Sequence, residues 1–114
     1  MTDGFYRIAF TGAHGSGFGL LVLFEGAVAG ADVGGVLYDG TYRTDEAKNH
    51  MNLQITMRAP AGSTPVQTGI PLVAPIDVPM AISLPNDLAG GAPILVETPL
   101  GKVNVIISKI RDIS

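Results

Sequence analysis

The sequence predicts an all-β fold, about eight short antiparallel strands curled into a single small barrel over residues 1–114. Three observations predict it. Apolar residues recur with a period of two instead of about 3.6. No stretch reads as an amphipathic helix. Glycine is concentrated early in the chain, where Gly12, Gly15, Gly17 and Gly19 are followed by Gly26, Gly30, Gly34, Gly35 and Gly40. Glycine admits the bulges and sharp bends of a strongly curved sheet, which favours a barrel over a flat sandwich.

The strands follow in order. Tyr6, Ile8 and Phe10 alternate with Arg7 and Thr11, giving a first strand with one apolar face. Phe18 to Glu25 and Ala27 to Asp32 come next, joined by a tight turn at Glu25-Gly26. In the second strand Phe18, Leu20, Val22 and Phe24 fill the inward face, which leaves Leu21 and Leu23 outside. A surface strand has no need of two leucines there, so they mark a covered outer face. Tyr38 to Arg43 carries tyrosines suited to half-buried strand positions. Asn49 to Arg58 alternates most cleanly, with Met51, Leu53, Ile55 and Met57 on one side and Asn52, Gln54, Thr56 and Arg58 on the other.

All eight prolines lie between Pro60 and Pro99. Ala59 to Thr68 reads as a loop. Pro71, Pro75 and Pro79 forbid a helix and place their stretch at a sheet edge or in short extended pieces. Ala81 to Leu84 and Ile94 to Thr98 read as further strands, with turns at Asn86-Asp87 and Gly90-Gly91 between them. After a hairpin turn at Pro99-Leu100-Gly101, Val103, Val105 and Ile107 face inward in the last strand. That series runs into Lys109 while Ile106 and Ile110 take the opposite side. Either a bulge shifts the register near Ile107 or the outer face meets a partner.

Composition narrows the function. The chain is 46% hydrophobic and 15% charged with no cysteine, so its core needs neither disulfides nor cysteine-held metal. Seven Lys/Arg against ten Asp/Glu give a formal charge of -3 and a pI near 5.1, unsuited to gripping a phosphate backbone. Phe5, Tyr6, Tyr38 and Tyr42 are the aromatics that a nucleic-acid face would use, but only Arg7 and Arg43 accompany them. The first residues lack a basic leader, and the longest apolar run, Phe18 to Phe24, is too short to span a bilayer. The expectation is a cytoplasmic chain without a membrane segment or a direct nucleic-acid partner.

Catalytic motifs are incomplete. Gly12-Ala13-His14-Gly15-Ser16-Gly17 lacks both the lysine of a phosphate loop and the helix of a dinucleotide loop, and reads as a hairpin loop. His14 and Ser16 lack an orienting acid, and His14 and His50 lack a metal-ligand spacing. Asp32 suits an Asx-type turn better than a catalytic acid. The chain is therefore expected to be no enzyme, with no catalytic residue, metal or cofactor. An eight-strand barrel can enclose a small apolar guest, or side chains can simply fill it.

Taken together, Asp3-Gly4-Phe5-Tyr6, Gly17-Phe18-Gly19 before an apolar strand, Gly30-Ala31-Asp32 and Tyr38-Asp39-Gly40-Thr41-Tyr42 resemble the GrlR-like family, negative regulators of type III secretion gene expression. Beyond about the first 45 residues the likeness is confined to strand rhythm. The resemblance implies a lipocalin-like barrel that forms a homodimer and binds and restrains a helix-turn-helix transcriptional activator. It also implies partner contact through the loop Thr44-Asp45-Glu46-Ala47-Lys48, where Ala47 and Lys48 stand in place of further acids. The expected working parts are Asp45 and Glu46 for partner binding, and Leu21, Leu23, Ile106 and Ile110 for the dimer interface. Carriage of a small apolar molecule or lipid in the interior is the alternative.

Overall fold

Period-two patterning becomes eight antiparallel strands in the computed structural model, which describes residues 3–86 and 93–113. They are β1 (Gly4–Gly12), β2 (Gly15–Phe24), β3 (Ala27–Asp32), β4 (Leu37–Asp45), β5 (His50–Ala59), β6 (Ile76–Pro85), β7 (Ile94–Thr98) and β8 (Gly101–Arg111). The ladder runs β6-β5-β4-β3-β2-β1-β8-β7. Its end strands β6 and β7 approach each other, so the sheet curls into a nearly closed, lipocalin-like barrel. Pro79 lies in β6, at this seam, where a strand tolerates a missing backbone N–H.

The cleanest alternation in the sequence keeps its expected sense. Met51, Leu53, Ile55 and Met57 of β5 all point inward and join Tyr6, Ile8, Val28, Leu84 and Ile107 in the core. At the β2–β3 turn, Glu25 and Gly26 adopt φ of 49° and 85°, the left-handed pair that matches the twist of a tight hairpin. The expected turn residues Asp87, Gly90 and Gly91 lie outside the described residues.

Strand β2 has the opposite parity from the one expected. Its register pairs Tyr6 with Leu21, Ile8 with Gly19 and Phe10 with Gly17. Leu21 and Leu23 therefore project into the core, while Phe18, Leu20 and Phe24 face outward. The reason is room. Ile8 and Phe10 of β1 already occupy that part of the interior, and a Cβ on Gly17 would lie 2.6 Å from the Phe10 ring. A strand apolar on both faces carries no parity signal of its own, so its neighbour decides.

In β8 the inward series runs past Ile107 to Lys109, which pairs with Tyr6. The register breaks only beyond it, between Tyr6 and Phe5, so the bulge lies later than Ile107. There the chain reaches the barrel mouth, where the Lys109 ammonium sits 6.0 Å from the Tyr6 ring centroid and pairs with Asp112.

Residues 60–75 form a strap between β5 and β6. It is folded on itself by the Gly62 N–H donating to Leu72 O (2.8 Å) and the Leu72 N–H donating to Ser63 O (2.9 Å). It crosses the barrel end that also holds the β1–β2, β3–β4 and β7–β8 turns. Val66 O accepts the His14 N–H at 2.8 Å, and Gln67 Nε2 donates to Thr98 Oγ1 at 3.2 Å.

The parity of β2 predicts unequal mutational costs. Leu23→Ala should destabilise the fold by about 2–5 kcal/mol in urea unfolding. Phe18→Ala, at a side chain 59% exposed, should stay within about 0.5 kcal/mol of wild type. Equal losses would contradict the assigned faces.

Candidate functional site

The sizes of the inward residues divide the barrel interior into two halves. Near the β2–β3 turn, Tyr6, Leu23, Val28 and Met51 pack it. Toward the strap, β2 offers inward Gly17 and Gly19 where it offered Leu21 and Leu23 before. A cavity of about 220 Å³ occupies that second half. Phe10, Leu53, Ile55, Met57 and Val105 line its walls, and Ser63, Thr64, Pro65, Val66 and Gln67 of the strap line its end.

One polar corner adjoins this apolar space. Asp32 ends β3, and its Oδ1 accepts the N–H of Gly34 (2.8 Å) and of Val36 (3.1 Å). Its Oδ2 accepts the Tyr38 O–H at 2.7 Å. This is the Asx-type turn expected for Asp32, extended by a phenol from β4. Burial, and then the hydrogen bond to Asp32 and its charge, hold the Tyr38 hydroxyl far above the usual tyrosine range. It is therefore a neutral donor. Nearby, Thr98 Oγ1 accepts from Gln67 and donates to Gly101 O at 2.7 Å. An apolar chamber with a few convergent polar groups has the character of a small-molecule binding site.

The residues singled out from sequence are scattered over the molecule. Asp45 ends β4 and Glu46 begins the β4–β5 turn, at the barrel end opposite the strap, and Asp45 Oδ1 accepts the Lys48 N–H at 3.3 Å. Leu21 and Leu23 are not available to a partner, because both are buried in the core, and Leu21 lines the cavity. Ile106 and Ile110 do face outward, 40% and 54% exposed. Ile106 and Phe18 flank Ala9 across β1, so the outer apolar patch involves Phe18, not the two leucines.

Of the aromatics that a nucleic-acid face would use, three belong to the interior. Tyr6, Tyr38 and Tyr42 turn inward, since the large interior positions of β1 and β4 need their bulk. Tyr42 donates its O–H to Asp3 Oδ1, and Asp3 Oδ2 accepts the Glu25 N–H at 3.1 Å. His14 and His50 are exposed, with His50 Nδ1 3.4 Å from Ser83 Oγ. Among the described residues no three His, Asp or Glu side chains cluster as a metal site.

Sequence reasoning missed the roles of Gly17, Tyr38 and the strap residues. The signal for Tyr38 was present in the alternation Tyr38-x-Gly40-x-Tyr42, which puts both tyrosines on one strand face. No local signal shows that residues 63–67 fold back over a barrel end, because that contact is made with turns distant in sequence.

No protein family, curated protein or solved structure matches the chain.

The Tyr38–Asp32 contact has a measurable pH signature. Folding raises the Tyr38 pKa, so its stabilising contribution is full below the ordinary tyrosine value of about 10 and drains away as the pH rises above it. Tyr38→Phe should cost about 1–3 kcal/mol at neutral pH. Wild type should then lose urea resistance more steeply than the variant above about pH 10. Parallel alkaline curves would refute this role for the phenol.

Proposed function

We propose that the protein is a non-enzymatic carrier of a small apolar molecule, held in the strap half of the barrel. The observation that carries this reading is the cavity of about 220 Å³ with walls of Ile, Leu, Met, Phe and Val side chains. A cavity of about 150 Å³ suffices for benzene. The present one scales to a guest of about eight to ten non-hydrogen atoms at ordinary packing density. The strap is the natural gate. The contacts tying it to the barrel end include one backbone hydrogen bond from His14 and one side-chain bond to Thr98.

Mass spectrometry of organic extracts from natively purified protein tests the reading. Wild type should release a small apolar compound near equal stoichiometry. Val105→Phe, which adds a ring to the cavity wall, should release little while remaining folded. Equal amounts from the two proteins, or none from wild type, would sink the proposal.

A second reading places the function at Asp45 and Glu46, restraining a helix-turn-helix activator as in the GrlR-like family. The exposure of Glu46 on the β4–β5 turn supports it. The neighbouring Lys48 works against it, since a basic helix would meet two acids and one lysine there. Replacing Asp45 and Glu46 together by Ala should weaken capture of a purified basic helix-turn-helix domain about tenfold or more if that turn is the contact. Undiminished capture would retire the turn. The cavity is the better supported of the two features, because it is a property of the interior packing and not of a few exposed charges.

A further inference from the structure

The charge around the cavity is one-sided. Among the described lining residues, Asp32 and Tyr38 are the ionisable side chains, and there is no lysine, arginine or histidine. Tyr38 is neutral and donates to Asp32, which leaves the Asp32 carboxylate as the site's formal charge. A carboxylate offers about four acceptor positions. Three are taken, by the Gly34 and Val36 amides and the Tyr38 hydroxyl. These three bonds leave one acceptor position over, on a half-buried residue of the cavity lining. The chain as a whole, Asp32 included, has the same sign, with a formal charge of -3.

These facts discriminate among apolar guests. A fatty-acid carboxylate would bring a second negative charge next to Asp32, and no cationic side chain among the described lining residues is there to receive it. A hydroxyl or ammonium head would instead donate to the open position on Asp32, with its alkyl body in the cavity. We propose that the barrel selects an apolar molecule with a hydrogen-bond-donating, uncharged or cationic head, an alcohol or an amine, and rejects carboxylates of the same length. This inference rests on the carrier reading and specifies the chemistry of its ligand.

Three probes with a common eight-carbon tail test it, each of a size the cavity accepts: octan-1-ol, octylammonium and octanoate. Binding is read at neutral pH from NMR shifts of the inward Ile, Leu, Val and Met methyl groups. Octanol and octylammonium should bind about tenfold or more tighter than octanoate. Asp32→Asn keeps an oxygen for the Gly34 and Val36 amides but removes the charge, and it should erase most of the difference between octylammonium and octanoate. Tyr38→Phe leaves the charge and frees a second acceptor position, so it should strengthen octylammonium binding. It serves as the second variant should Asp32→Asn not fold. If octanoate binds as tightly as octylammonium in wild type, the head-group inference fails while the carrier reading stands. If none of the three moves the inward methyl signals, the carrier reading fails and takes this inference with it.

Discussion

An eight-strand barrel is just wide enough for its own side chains, so the volumes of facing inward residues constrain everything else. Here the constraint is sharpest between β1 and β2. Ile8 and Phe10 supply bulk, and Gly19 and Gly17 opposite them supply space. One pair further on, Tyr6 faces Leu21, and two further Gly4 faces Leu23. The first pairings leave the strap half of the interior underfilled. The second set closes the other half. The outward position of Phe18 and Phe24 follows from the same arithmetic of volume, since the interior beside Phe10 cannot take another ring.

Much of the architecture was legible because it is local. The Met51–Met57 alternation, the Glu25-Gly26 turn, the Asx-type turn at Asp32 and the proline-rich break before β6 each depend on neighbouring residues, and each has the form expected. The parity of β2 was illegible for a definite reason. Phe18-Gly19-Leu20-Leu21-Val22-Leu23-Phe24 is apolar on both faces apart from Gly19, so only its pairing with β1 selects a face. The candidate site shares that difficulty. Its walls come from several strands and its end from the strap, and the space between them is set by residues far apart in the chain. Alternation can place a residue inside a barrel, but it does not reveal whether the space beside it is filled.

The chain uses a similar polar device twice, in different surroundings. Tyr38 and Tyr42 project from the same face of β4, and each donates its hydroxyl to an aspartate, Asp32 in one case and Asp3 in the other. Both carboxylates also accept backbone N–H groups at a turn, so each pair fastens a turn to the barrel wall. Asp3 and Tyr42 sit at the end whose interior is packed. Asp32 and Tyr38 sit beside empty space, which is what turns a structural clamp into a polar corner that a guest can reach. Function on this reading arises from a missing side chain next to an ordinary fastening.

The unfilled half also carries an energetic consequence. The chamber is partly open at the strap end, so it does not carry the full cost of a sealed core cavity, but the side chains of its walls still lack the packing contacts that a filled interior would give them. Side chains able to fill the space are present in the same strand. Phe18 and Leu20 lie one residue out of phase and face outward. Exchanging the two parities would fill the cavity only by forcing a ring against Phe10, so the sequence keeps the space at the expense of stability. A guest that occupies it restores the lost contacts and stabilises the barrel by mass action, by about 2.7 kcal/mol at a hundredfold excess over its Kd. Occupancy and folding would then be coupled, and the strap, which lines the cavity and crosses the barrel end, is the element through which that coupling would be felt.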